Sequence, residues 1–333
     1  MSLKRLGEGG RLTFDEAYRL ALSMLNGELS DVEIAAALTA MRVRGETAEE
    51  VAGFAKAARD TCVRVHIDVD AIDTAGTGGD GQRTINVSTA AAIVASAAGA
   101  YVLKHGNRSV TSPTGSADFL EALGYNINLK PEQATAALKE SRFAFLFAPV
   151  YHPTFARVAP VRKKLPFRTI FNVVGPLANP GHVRRQVIGV AEERLMPIVA
   201  EAASLLGLEH VVVIHGEPGI DEASPEGSTK VYEVRRGSLE SYSLAPEDFG
   251  ARRGRMPRVN TREESLAITT RGLRGEDPEA ENAIAMNAAL ALYVSGLARD
   301  VREGYEAARQ TIESGAAARH LEAIIMASKR WSS

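Results

Sequence analysis

Gly76-Thr77-Gly78-Gly79-Asp80-Gly81 directly follows a short apolar run at Ala71–Thr74. Glycine lacks a Cβ, so backbone N–H groups in such a loop can converge on an anion without obstruction. Asn86-Val87-Ser88-Thr89 then opens a helical stretch, whose start adds free N–H donors and the positive end of the helix dipole. Together the two features describe a phosphate cradle; the glycine loop alone is equally a tight strand-to-helix turn. No Gly-Lys-Ser/Thr follows the glycines and no acidic residue ends a second strand, so neither the P-loop nor the dinucleotide pattern applies.

Lys104-His105-Gly106-Asn107-Arg108 follows the next apolar run and gathers two cations, an imidazole and an amide at one edge. Such density is costly unless an anionic ligand or solvent uses it. Thr114-Gly115-Ser116 introduces a helix at Ala117–Leu123, a second N-terminus open to phosphate. His105 in this position reads more simply as a structural hydrogen-bond donor than as a catalyst.

Asp221-Glu222 sits in a loop after the run His210–His215. Adjacent carboxylates suit a hard cation such as Mg²⁺, which keeps waters and substrate phosphates as its other ligands, although the pair alone is an ordinary surface turn. Arg157 and Arg162-Lys163-Lys164 fall on a predicted helix between Pro153 and Pro166; they form either a solvated face or a bidentate carboxylate site. Gly175-Pro176 reads as a rigid turn, with or without a pocket behind it.

The elements that must position these residues have their own signatures. Thr13-Phe14-Asp15-Glu16, Ser30-Asp31-Val32-Glu33 and Thr47-Ala48-Glu49-Glu50 have the capping-box form, so three helices should begin there. Their apolar faces, carried by residues such as Leu20, Leu38 and Phe54, require another body or a second subunit to cover them. After Arg64, short apolar runs at 71–74, 101–104, 143–147, 186–190 and 210–215 alternate with helical stretches. That texture predicts a mostly parallel sheet flanked by helices, with functional loops at the strand C-termini. Val231–Val234 and Leu239–Leu244 flank Arg235-Arg236-Gly237-Ser238 as a hairpin, and helices close the chain near 279–295, 301–313 and 317–327.

The fold class expected is α/β: a large domain with a mostly parallel sheet flanked by helices, plus a small all-helical domain. The helical domain is placed at 1–66, joined in space by a segment around 155–180, and the α/β domain at 67–154 and 181–333. With 333 residues and 45% hydrophobic content, the chain can bury a sizeable core. Lys+Arg 39 against Asp+Glu 41 gives a net charge of -2, which draws the protein to neither nucleic acid nor an anionic membrane. Cys62 stands alone and cannot form an internal disulfide. No run approaches the ~20 apolar residues of a membrane span, and a cytoplasmic location is expected.

As a set, Gly76–Asp80, Asn86–Thr89, Lys104–Arg108, Gly115–Asp118, Arg168–Asn172, Gly175–Leu177, Asn179-Pro180, Asp221-Glu222 and Asn287–Ala289 resembles the anthranilate phosphoribosyltransferase family in order and spacing. The resemblance implies transfer of phosphoribose from phosphoribosyl pyrophosphate to anthranilate, with release of pyrophosphate, in tryptophan biosynthesis. It assigns the donor to Gly76, Thr77, Gly78, Gly79, Asp80, Thr84, Asn86, Ser88, Thr89, Lys104, Asn107 and Ser116. It assigns the acceptor to Gly76, His105, Asn107, His152, Arg162, Gly175 and Pro176, with Arg162 on the anthranilate carboxylate. Ser88, Asp221 and Glu222 would hold two Mg²⁺ ions, and the helical domain would join a homodimer. Arg83, Pro113-Thr114 and Pro166-Phe167 depart from the residues usual in the family.

Two rivals share the fold. In a pyrimidine nucleoside phosphorylase, the glycine-threonine signature would fall at Arg108–Asp118, where Thr114-Gly115-Ser116-Ala117-Asp118 matches only in part, and Asp221-Glu222 would have no use. A non-catalytic nucleic-acid-binding relative would need a basic stripe, which the near-neutral charge does not favour.

Overall fold

The computed structural model describes residues 2–109 and 113–330, so the middle of the Arg108–Asp118 stretch lies outside the described residues. Helices α1 (Ser2–Gly7), α2 (Phe14–Asn26), α3 (Asp31–Arg44) and α4 (Ala48–Asp60) precede the first strand. The order then runs β1 (Ala71–Gly76), α5 (Val87–Ala97), β2 (Tyr101–Gly106), α6 (Ser116–Ala122), α7 (Pro131–Ser141), β3 (Phe143–Phe147) and α8 (Ala148–Tyr151). Next come α9 (Ala159–Lys164), α10 (Ile170–Val174), β4 (Arg185–Gly189), α11 (Met196–Leu205), β5 (His210–Gly216), β6 (Thr229–Arg235) and β7 (Ser238–Leu244). Four helices close the chain: α12 (Arg262–Leu273), α13 (Pro278–Ser295), α14 (Val301–Glu313) and α15 (Ala316–Lys329).

Thr13, Ser30 and Thr47 each accept from the N–H three residues on, while Glu16, Glu33 and Glu50 reach back to the cap, so all three capping boxes form. The apolar faces of α2 to α4 are covered within the chain itself. Phe54, Leu38 and Met24 share one cluster with Val158, Val161, Ile170 and Phe171, with α11, and with Ile188, Val211 and Val213 of the sheet. Part of α3 stays uncovered, with Val32 78% and Val43 84% exposed.

The sheet has seven strands in the order β3-β2-β1-β4-β5-β6-β7. β1 to β5 are parallel, and β6 and β7 add an antiparallel hairpin. Arg236 (φ 50°) and Gly237 (φ 84°) both adopt left-handed backbone in the hairpin turn, as a two-residue turn with right-twisted strands demands. The chain turns one way from β1 to β2 and the other way to β4, so a crevice opens at the C-terminal ends of β1 and β4, where ligands of α/β sheets bind.

The basic segment after His152 differs from its expected single helix. Pro153–Arg157 forms a 3₁₀ turn and α9 starts afresh at Ala159, because Pro160 lacks an N–H and begins a helix instead of continuing one. Gly175-Pro176 lies in a 3₁₀ turn, Gly175–Ala178, in keeping with the rigid turn expected there. Cys62 is half-buried, its Sγ on the Arg59 carbonyl at 3.0 Å.

Glu50 shows how the helical elements are locked. Its side chain is fully buried and accepts from Leu12 N–H (2.9 Å), Thr47 N–H (3.0 Å) and the Arg44 guanidinium (2.7 Å). Removing one partner of a buried pair strands the other, so Glu50→Ala should lower unfolding stability by ~3 kcal/mol. Urea denaturation would measure it, and a loss under ~1 kcal/mol would mean that water replaces the carboxylate.

Candidate active site

The glycine loop leaves β1 at the crevice. Gly78, Gly79 and Gly81 have φ of 59°, 76° and 73°, a left-handed run that side chains resist. Thr77 N–H donates to Gly189 O (2.8 Å), Ala191 N–H donates to Thr77 Oγ1 (3.1 Å), and Gln82 N–H donates to Asp80 Oδ1 (3.0 Å). The far end of the loop is tied down as well. Thr84 bridges to Arg258, and Ile85 N–H donates to Pro257 O at 3.3 Å.

Gly76 and Gly189 are in register on neighbouring parallel strands. A Cβ at Gly76 would overlap the Asp221 carboxylate, and one at Gly189 would overlap the Asp221 backbone. The two glycines therefore let the loop after β5 press its acid pair against the sheet edge, where Asp221 Oδ2 accepts from Gly78 N–H at 2.8 Å. From the opposite side Asn287 of α13 holds the next residue by both backbone groups, accepting from Ala223 N–H (2.8 Å) and donating to Ala223 O (3.1 Å).

Asp80, Asp221 and Glu222 offer oxygens that lie within 4.8 Å of one another. Burial, then the neighbouring carboxylates, pushes Asp221 up to about 6 and Glu222 well above its ordinary value. Thr84 Oγ1 lies 3.4 Å from Glu222 Oε1, while Glu222 Oε2 and Asp80 Oδ2 are buried without a hydrogen-bond partner. Three crowded hard oxygen ligands with orphaned lone pairs fit a divalent cation such as Mg²⁺. Asp80, expected only on the donor, joins the predicted Asp221 and Glu222 here. Ser88 lies in the first turn of α5, its Oγ 3.5 Å from Lys104 Nζ.

Lys104 is buried and donates to Thr74 O and, at 3.3 Å, to Thr74 Oγ1. Burial lowers it to about 8, against the pull of Asp73, Asp221 and Glu222, so it remains a cation at neutral pH. Asp73 lies beneath, accepting from His105 N–H (3.2 Å) and Asn179 Nδ2 (2.8 Å). Asn86 does not cap its helix. It spans instead from Thr114 O (3.3 Å) to Ser265 Oγ (3.0 Å). Thr89 is buried in the first turn of α5. Ser116 Oγ donates to Asn107 O at 3.2 Å, joining the second expected helix start to the end of β2. Arg108 is committed elsewhere, forked onto Glu121 at 2.7 and 2.9 Å and paired with Asp118.

From His105 a row of rings leads away: His152 (5.0 Å between centroids), Phe155 (4.9 Å) and Phe171 (5.5 Å), with the Arg162 guanidinium over Phe171 at 5.4 Å. Burial pushes His152 down to about 4 and His105 well below its usual value, so both rings are neutral at pH 7. Arg162 is half-buried and, among the described residues, makes no ion pair or side-chain hydrogen bond. Gln186 Nε2 on the buried face of β4 donates to Pro176 O (2.9 Å) and sets the Gly175-Pro176 turn nearby. Arg168, Asn287, Asp73 and Gln186 are the residues that no chemical signature singled out. Only Asn287, a lone amide inside an apolar helix, carried a signal beyond the family pattern.

An anion cradle, a carboxylate cluster and an unpaired arginine at the end of an aromatic row define a class: residues 2–62 match the helical bundle domain of a glycosyl transferase family and residues 68–318 its a/b domain. An anthranilate phosphoribosyltransferase from Pyrobaculum aerophilum is 61% identical over 98% of both chains, and one from Geobacillus kaustophilus 45% identical over 97% of this chain and 96% of its own. The crystal structure of anthranilate phosphoribosyltransferase from Thermus thermophilus superposes with a TM-score of 0.93 at 38% identity, covering 98% of this chain and 99% of its own. The Saccharomyces cerevisiae enzyme in complex with PRPP and Mg superposes at 0.89 with 31% identity, covering 98% and 97%. The chain belongs to the anthranilate phosphoribosyltransferase family.

If the acid pair holds a cation, the double variant Asp221→Asn, Glu222→Gln should bind Mn²⁺ at least ~10-fold more weakly in calorimetric titration. Its melting temperature should not fall, because amides relieve the crowding of buried like charges. Unchanged Mn²⁺ affinity would remove the pair from that role.

Proposed function

We propose that this protein transfers the phosphoribosyl group of phosphoribosyl pyrophosphate to the amine of anthranilate, giving N-(5-phosphoribosyl)anthranilate and pyrophosphate in tryptophan biosynthesis. The single observation that carries the reading is the convergence of the glycine loop, Lys104 and the Asp80, Asp221 and Glu222 carboxylates on one sheet-edge crevice. In the reaction the C1–O bond to pyrophosphate breaks, the amine nitrogen bonds to C1, and the nitrogen gives up a proton. Negative charge grows on the leaving oxygens as positive charge grows on the ribose, so electrostatic stabilisation of the diphosphate is the main requirement.

Gly76 to Asp80, Thr84, Asn86, Ser88, Thr89, Lys104, Asn107 and Ser116 are assigned to the donor. Backbone N–H groups of the loop and the helix starts would take the phosphate oxygens, and Lys104 supplies a fixed positive charge beneath them. Asp221 and Glu222, with Asp80 and Ser88 beside them, would hold Mg²⁺, two ions in our reading. Bound there, the cation neutralises charge on the departing diphosphate.

The acceptor is assigned to Gly76, His105, Asn107, His152, Arg162, Gly175 and Pro176. An aromatic amine is a free base near neutrality, so it needs orientation more than proton abstraction. The depressed basicity of His105 and His152 agrees with that; as neutral rings they line the path and exclude water. Among the described residues Arg162 is the free cation of that path, suited to a carboxylate. The T. thermophilus and P. aerophilum relatives are named for this activity, and a yeast relative is described in complex with 4-fluoroanthranilate.

The same reading treats residues 1–66, with the segment around 155–180, as a helical domain, and 67–154 with 181–333 as the α/β domain. A homodimer through the helical domain accounts for the exposed strip of α3. Leu6, Ala36, Ala40 and Val43 line a shallow trough of about 560 Å³ between α1 and α3. No helix among the described residues is long and apolar enough to cross a membrane; a cytoplasmic enzyme fits the reading.

Fluorescence of phosphoribosyl anthranilate, formed from purified protein, donor, anthranilate and Mg²⁺ and abolished by EDTA, is the expected result; phosphorolysis of thymidine without it would replace the reading. In that assay Arg162→Ala should cost ~1.5–3 kcal/mol in acceptor kcat/KM, the range for a charged hydrogen bond, with donor KM nearly intact. An unchanged acceptor KM would release Arg162 from the carboxylate. Ala40→Glu should convert a dimer to a monomer in sedimentation velocity, and a dimer that persists would place the interface elsewhere.

A further inference from the structure

Arg168 stands between α9, which carries Arg162, and α10, and its side chain crosses to the glycine loop. Its two terminal nitrogens donate to consecutive carbonyls, Nη1 to Gly78 O at 2.5 Å and Nη2 to Thr77 O at 2.7 Å. Among the described residues it makes no ion pair, although burial works against its charge and Glu192, Asp221 and Asp80 lie within its field. Glu192 is itself engaged by Arg194 at 2.7 Å and Arg42 at 3.6 Å. A half-buried guanidinium spent wholly on main-chain oxygens of a glycine loop is an unusual use of a permanent charge, because water would satisfy those oxygens at no desolvation cost.

The peptide group explains the use. In a trans peptide the C=O and N–H point in opposite directions. Pinning Thr77 O and Gly78 O from one side therefore aims Gly78 N–H and Gly79 N–H toward the other. The first of these N–H groups meets Asp221 Oδ2 at 2.8 Å, so one peptide plane has the guanidinium at its oxygen and the cation-binding centre at its hydrogen. A hydrogen bond that polarises a peptide at its oxygen strengthens the donor at its nitrogen. Gly79 supports the assignment independently. Besides its φ of 76°, a Cβ there would overlap Arg168 Nη1, so the loop leaves room for this arginine.

We propose that Arg168 is a positioning residue for the donor: it orders the glycine loop from behind, supporting the Asp221 carboxylate through the 77–78 peptide and relaying its charge through the 78–79 peptide to the departing diphosphate. Because Arg168 lies six residues after Arg162 on the same acceptor-side segment, the proposal also ties the geometry of the donor loop to that segment. It rests on the transferase reading above.

The test compares wild type, Arg168→Ala and Arg168→Lys by steady-state kinetics, by calorimetric binding of inorganic pyrophosphate with Mg²⁺, and by thermal melting. Arg168→Ala should raise donor KM and weaken pyrophosphate at least tenfold, with acceptor KM within twofold and melting unchanged. Arg168→Lys, with one contact in place of two, should fall between, and millimolar guanidinium should restore part of the Ala variant's donor affinity. A folded Arg168→Lys with wild-type donor KM and pyrophosphate affinity, or a parallel rise of both substrates' KM values in Arg168→Ala, would overturn the proposal. A wild-type protein that forms no phosphoribosyl anthranilate yet binds pyrophosphate in an Arg168-dependent way would overturn the transferase reading while supporting Arg168 as the residue that orders the pyrophosphate loop.

Discussion

The close approach of the Asp221 loop to the backbone at Gly76 and Gly189 is the constraint on which the site depends. It brings carboxylates into a crevice that already holds a buried ammonium group, and the attraction to that one cation works against both the burial of the charges and the repulsion among the three carboxylates. The surrounding structure supplies the restraint. Asn287 grips the loop from α13, Asn179 and Asp73 brace β1 against β2, and Lys104 is drawn onto the Thr74 carbonyl. Each of these groups is buried among apolar side chains, so the polar network is rigid because the core around it is.

The two halves of the site differ in physical character. Around the glycine loop the contacts are polar and directional, built from peptide groups and fixed charges. Along His105, His152, Phe155 and Phe171 they are ring faces, with charge only at the far end in Arg162. On the assignment proposed above, a flat aromatic acid with its amine and carboxylate on neighbouring ring carbons suits the second half, as a sugar phosphate suits the first. Pro176 is held in place by Gln186.

Much of this was legible in the sequence because local chemistry repeats locally. Capping boxes announced α2, α3 and α4; β-branched and aromatic runs announced β3 and β5; Arg236-Gly237 announced the hairpin. The glycine loop and the acid pair were visible as motifs, but their meeting was legible only through the family pattern, since a separation of 143 positions between Gly78 and Asp221 hides it from local reading. The break before α9 turned on Pro160 within a basic run that otherwise reads as one helix. α12 escaped notice because Thr269, Thr270 and Gly272 dilute its apolar period. Arg168 stood in the sequence only as part of a family segment with no role of its own, until its two carbonyl partners were seen. The helical faces read as needing a second body find most of it within the same chain.

The two margins of the sheet are unlike. β3 is buried along its whole length beside α7, whereas β7 ends the sheet as a polar strip, Ser238-Leu239-Glu240-Ser241-Tyr242-Ser243-Leu244, with most residues exposed. An open strand with unpaired peptide groups invites another chain to add on, and serines on both of its faces with the charge of Glu240 on one discourage such growth. Copies of this protein therefore have little means of joining strand to strand into a runaway ribbon, and self-association is steered toward surfaces where helices, with no free peptide groups to share, set a finite number of neighbours.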